Sequence, residues 1–145
     1  YKLRVQGQDK TGNSSGDEPY QINFEVIQKS SITNIYNYPN PFSTKTHFVF
    51  TLTGSEIPNK LDIQIINING RLIKEIHLSE IENIKIGNNM SKYFWDGRDE
   101  FGDPVANGVY IYRVISEINN LDIELRPSEG DKAFTNGLGK MYLIR

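Results

Sequence analysis

At 145 residues the chain has the length of one ordinary globular domain, or of one domain with part of a second. Hydrophobic residues make up 37% and charged residues 23%, the proportions of a folded soluble protein, which speaks against extended disorder. A formal charge of -2 leaves no basic stripe for nucleic acid, and the absence of cysteine removes disulfides, thiolate zinc sites and cysteine nucleophiles together.

The first residues already alternate, with Tyr1, Leu3 and Val5 set against Lys2, Arg4 and Gln6, and the chain reads as the C-terminal part of something larger. A second alternating run carries Tyr20, Ile22, Phe24 and Val26. The turn formers of KTGNSSGDEP lie between them, so the two runs predict a hairpin with a long loop. A lone hairpin is not stable in water. It either docks on the later strands of the chain or ends a preceding sandwich.

QKSSIT reads as a polar connector leading to NYPNPF, which Asn37 opens. Pro39 and Pro41 hold φ at about −65° and push Tyr38 and Asn40 into extended conformations. This stiff hexapeptide is expected at the entry edge of a sandwich, with Tyr38 and Phe42 tucked against the core and the prolines blunting the sheet edge.

THFVFTL then puts Phe48, Phe50 and Leu52 on one face, and LDIQIINI does the same with Leu61, Ile63 and Ile65. Asn69 and Gly70 both accept positive φ, so a tight turn is expected there, leading into RLIKEIHL. SEIENIKIGNN fits either a short helix or a loop. A strand ends at Trp95, DGRDEFGDPVANG is loop, and VYIYRVIS resumes as a strand. A long connection comes next, with a weak strand at LDIEL, and KMYLIR closes the chain with Met141 and Leu143 opposing Tyr142 and Ile144. No apolar run approaches the roughly 20 residues that cross a bilayer as a helix.

These elements predict an all-β fold, an immunoglobulin-like β-sandwich of about seven antiparallel strands preceded by a β-hairpin. Residues 1–30 form the leader hairpin or the end of a preceding immunoglobulin-like module, and residues 31–145 the sandwich.

Candidate chemistry is sparse. Asp96, Asp99 and Asp103 lie among Gly97 and Gly102, a pattern that offers oxygens to calcium but lacks the terminal glutamate of a twelve-residue calcium loop; turn hydrogen bonding is the favoured reading. Trp95 is read as a core anchor and Gly108 as a backbone turn into the next strand. Tyr110 and Tyr112 share one strand face, suited to packing on a neighbouring module or to stacking on sugar rings. His47 and His77, the only histidines, have no serine or acidic partner at a recognisable motif spacing. The N-x-S triplets at Asn13 and Asn89 read as loop asparagines. No catalytic residue, metal site or cofactor is expected.

YPNPFSTKTHFVFTL, LDIQIINING-RLIKEI, FWDGRDEFGDPVANGVYIYRV and the terminal GKMYLIR, in that order, resemble the C-terminal sorting domain of type IX secretion proteins of Bacteroidetes. The order is similar to that of the immunoglobulin-like domain of flagellar hook-capping proteins, and the leader resembles the end of the module before the sorting domain in the gingipain-like sortase. The long connection before the last strand departs from ordinary cargo. The resemblance implies a non-catalytic label, carried through the periplasm to the outer-membrane surface and recognised by the outer-membrane shuttle barrel and translocon proteins. An edge strand offers open backbone groups to a partner. Recognition is therefore expected at Gly139, Lys140, Met141, Tyr142, Leu143, Ile144 and Arg145, with Tyr110 and Tyr112 beside them. The competing readings are a passive spacer, a carbohydrate-binding module and a hook-cap-like scaffold.

Overall fold

The structure, a computed structural model, describes residues 2–13, 19–23, 29–126 and 135–145. Its elements are β1 (Lys2–Val5), β2 (Tyr20–Asn23), β3 (Ser31–Tyr38), β4 (Thr46–Thr53), β5 (Lys60–Asn67), β6 (Leu72–Ile76), α1 (Leu78–Ile81), β7 (Gly87–Trp95), β8 (Gly108–Ile118), β9 (Leu121–Asp122), β10 (Glu124–Arg126) and β11 (Leu138–Leu143). β1 and β2 form the expected antiparallel hairpin; Phe24 and Val26 lie outside the described residues. The sandwich sets a sheet of order β10-β3-β4-β7 against one of order β11-β8-β5-β6, to which β9 adds through β8. The all-β reading holds, with one amendment: β10 pairs with β3 in parallel.

The core is the inward set of period-two alternation. Phe48, Phe50 and Leu52 of β4 meet Leu61, Ile63 and Ile65 of β5, with Trp95 fully buried. The Trp95 ring packs edge-on to Tyr110 at 5.1 Å and tilted against Phe42 at 5.5 Å. Its indole Nε1 donates to the Arg98 carbonyl at 2.8 Å, which satisfies the one polar atom of a buried ring.

β3 departs from the sequence reading, which took its first half for a connector. Asn34 sits at a φ of 53°, and the register against β4 shifts between Thr33 and Tyr36. That irregularity moves the inward positions from Ile32 to Ile35 and Asn37, and so hides the alternation. Phe42 is buried as expected, whereas Tyr38 is 61% exposed. Asn89 is likewise not in a loop: it lies buried in β7, where its side chain bonds the backbone of Lys85 and Gly87. SEIENIKIGNN supplies most of the single turn of α1, a loop, and the first three residues of β7.

Three turns share one wiring. Asp9, Asn67 and Asp99 each donate a backbone N–H to the carbonyl four residues on and accept one from the glycine three residues on. The side-chain Oδ1 of each accepts the N–H groups two and four residues on, at 2.9 to 3.0 Å. The glycines, Gly12, Gly70 and Gly102, take φ of 92°, 81° and 87°, where a side chain is strained. The turn expected at Asn69-Gly70 is thus organised from Asn67, and Asn69 is not among the residues of positive φ. The favoured reading of Asp99 as a turn former is realised.

The same loop seals an edge. Glu100 N–H donates to the Ile73 carbonyl at 3.1 Å, and Glu100 Oε1 accepts Glu75 N–H at 2.7 Å, so β6 meets paired groups. The Glu75 amide, helped by Lys74, holds the Glu100 carboxyl below the usual carboxylate range. A carboxylate lowered in the folded state stabilises above its unfolded value of about 4.5, and that contribution disappears as pH falls through the folded value. Glu100→Gln is therefore expected to lower stability at about pH 7, and the deficit is expected to shrink once the pH is taken well below the unfolded value. Urea unfolding at neutral and at acid pH checks this, and an equal loss at both refutes it.

Candidate functional site

The expected recognition strand, β11, lies at one edge of the five-stranded sheet and pairs with β8 from Leu138 against Arg113 to Leu143 against Gly108. Alternation divides its residues. Gly139, Met141 and Leu143 point inward and are buried, while Lys140, Tyr142, Ile144 and Arg145 reach solvent. Gly139 is required by close approach: a Cβ there would overlap the Tyr112 ring, which lies across it. Only the outward residues can meet a partner.

The open backbone edge expected of this strand is already occupied. Asn40 Nδ2 donates to the Lys140 carbonyl and Asn40 Oδ1 accepts Tyr142 N–H, both at 3.0 Å. Phe42 then takes over with its backbone, donating to the Tyr142 carbonyl at 3.0 Å and accepting Ile144 N–H at 2.9 Å. NYPNPF is thus the lid on this edge, and the expectation that the machinery adds a strand here is corrected. The hexapeptide is itself tied down. Thr46 Oγ1 donates to the Pro39 carbonyl at 2.8 Å, and the buried Asn37 amide donates to Thr46 Oγ1 at 3.0 Å. Both prolines follow cis peptide bonds.

Arg145 fastens the other end. Its guanidinium donates to the carbonyls of Asp96 and Gly97, each at 2.8 Å, and of Val105 at 3.2 Å, while its backbone exchanges hydrogen bonds with the Asn107 side chain. Gly97 has a φ of 74°, and a Cβ on it would collide with that guanidinium. The loop after Trp95 therefore serves as a socket for the last residue. Asp96 pairs with Arg98 at 3.3 Å. Gly108 turns the chain into β8 at a φ of 151°.

Tyr110 and Tyr112 do not belong to the surface. They are 6% and 1% exposed, and their hydroxyls donate to the carbonyls of Ala106 at 2.6 Å and Ile35 at 3.3 Å. They pack against the facing sheet of the same sandwich, so neither ring offers a face to a partner or a sugar. The opposite face of β8, with Val109, Ile111 and Ile115, is half-buried and also apolar. Arg113, exposed on that same face, and Glu117 are the sequence signals that mark it as the outward one.

His77 departs from expectation as well. It follows β6, and its Nδ1 lies 2.9 Å from Asp62 Oδ1. This hydrogen bond, supported by the nearby charges of Asp62, Glu75 and Glu80, raises the imidazole pKa. The partner was invisible to motif spacing because it stands on the neighbouring strand. His47 Nδ1 lies 3.0 Å from the Ser91 carbonyl, where β7 bulges.

Residues 34–94 match the family described as the secretion system C-terminal sorting domain. No curated protein sequence matches the chain. Among solved structures the fold is similar to dimeric latent PorU from Porphyromonas gingivalis, with a TM-score of 0.57 and 16% identity. The likeness covers 99% of this chain and 12% of that one. The resemblance read from YPNPF and the strands after it is therefore borne out: residues 34–94 match the sorting tail of type IX secretion, a module of Bacteroidetes, and the fold is similar to that of PorU. Such a tail directs export toward the cell surface through the secretion machinery. No helix of the described residues is long and apolar enough to cross a membrane.

Removing the lid should be measurable. Asn40→Ala deletes two hydrogen bonds and is expected to cost about 1–2 kcal/mol in urea unfolding, with faster exchange of the Tyr142 amide. Unchanged exchange at Tyr142 would show that Asn40 does not seal the edge.

Proposed function

We propose that residues 31–145 are a folded, non-catalytic address label, read by an outer-membrane shuttle barrel and the translocon through the outward side chains of β11. The observation that carries this reading is the occupied edge. With Lys140, Tyr142 and Ile144 already bonded through their backbones to Asn40 and Phe42, a partner meets their side chains and not an open ladder. Those side chains combine a cation with two partly exposed apolar groups, Tyr142 at 40% and Ile144 at 58%. A small apolar centre with a charged rim is the composition of a protein contact.

The label travels with its passenger through the periplasm to the outer-membrane surface. Residues 1–30 are the end of the module before it, and the likeness to PorU supports this because it extends over 99% of the chain, hairpin included. A carbohydrate-binding role finds no support from Tyr110, whose ring is enclosed against Trp95. A passive spacer is the reading that competes.

Deleting Lys140 to Arg145 would remove Met141 and Leu143 from the core and confuse unfolding with lost recognition. The informative variant is the triple substitution Lys140→Ala, Tyr142→Ala and Ile144→Ala, in a chain fused to a surface reporter. Surface display is expected to fall about tenfold or more, as the loss of roughly 1.4 kcal/mol of binding would produce. Its urea transition should remain cooperative. Wild-type display by a folded triple variant would leave the spacer as the better account.

A further inference from the structure

The outer face of the five-stranded sheet holds a cluster that the sorting role does not use. Antiparallel pairing sets Ile63 against Ile76 and Gln64 against Glu75. The two-residue period of each strand then brings Asp62 and Gln64 onto one face with Glu75 and His77. One ligand atom from each of Asp62, Glu75 and His77 lies within 4.8 Å of the other two. Gln64 Nε2 donates to Glu75 Oε1 at 2.8 Å and aims that carboxylate. Glu80 Oε2 accepts His77 N–H at 2.9 Å and steadies the turn that carries the imidazole.

Lys60 stands near enough to feel the charge of Asp62, but its ammonium is paired with Glu117 at 2.6 Å. Among the described residues neither Asp62 nor Glu75 ion-pairs with a lysine or arginine, and Lys74, adjacent to Glu75, is engaged by Glu100 at 3.2 Å. Two half-buried carboxylates thus converge on a single imidazole, itself exposed to solvent on its other side.

We propose that Asp62, Glu75 and His77 bind a divalent first-row transition-metal ion of the zinc type. One imidazole with two carboxylates is a donor set such ions accept, at about 2.0–2.2 Å from each ligand atom. Calcium fits poorly, since it takes about six to eight oxygens and the cluster offers a nitrogen and two carboxylates. Three protein ligands leave one tetrahedral position for water. Because Asp62 stands on β5 and the other two on β6 and the turn after it, a bound ion would join the edge strand to its neighbour.

The test is calorimetric titration of the tag-free chain with zinc chloride, with thermal unfolding followed in parallel. One saturable site per chain and a higher unfolding temperature in excess zinc are expected. His77→Ala should weaken binding by about 100-fold or more, and Gln64→Ala, which only aims Glu75, by about tenfold. Asp62→Asn keeps the shape of the side chain, and serves as the second ligand variant should His77→Ala perturb the fold. No saturable uptake by the wild type, or wild-type affinity in a folded Asp62→Asn or His77→Ala variant, overturns the proposal.

Discussion

A seam between residues 100 positions apart in sequence holds this molecule closed. Asn40 uses its side-chain amide in place of a peptide group, donating to Lys140 and accepting from Tyr142. Phe42 continues the pairing with its own backbone. The seam joins the two sheets, because β11 belongs to one and the segment around Phe42 leads into β4 of the other. It also places the Phe42 ring against Trp95, and Trp95 in turn packs on Tyr110. Contacts this distant recover their loop-closure entropy only once the intervening strands are assembled.

Sheet edges invite unwanted pairing, and both ends of the five-stranded sheet are answered by the same means. At β11 the answer is an asparagine amide, and at β6 it is a glutamate carboxylate with its own N–H. A side chain from a loop satisfies backbone groups without adding a strand, so the sheet stops where it should. The cost is specificity of sequence at Asn40 and Glu100.

Strict alternation was legible, and β4, β5, β8 and β11 could all be read from it. β3 was half hidden, because the irregularity at Asn34 breaks the two-residue period. β8 was found but its inward face was not, because Val109, Ile111 and Ile115 obscured Arg113 and Glu117, the charged residues that mark the outward face opposite Tyr110 and Tyr112. The lid on β11 and the pairing of His77 with Asp62 had no local signature. Each joins residues brought together by the fold, one through a long-range seam and the other across neighbouring strands. The proline hexapeptide, the loop after Trp95 and the last strand each carry a sequence signature of their own. They prove to be neighbours, and Arg145 seated in that loop is the contact that unites the last two.

The repeated turn begun by Asp9, Asn67 and Asp99 separates shape from content. Its first residue and its glycine supply the backbone frame in all three cases. The two positions between are filled differently in each turn: Lys10 and Thr11 in the first, Ile68 and Asn69 in the second, Glu100 and Phe101 in the third, and of these Ile68 and Phe101 are apolar. Both stand largely in solvent on a fixed backbone. The frame therefore works as a mount: its hydrogen bonds use only the backbone and the first side chain, and they hold whether the residue displayed is Ile68 or Phe101.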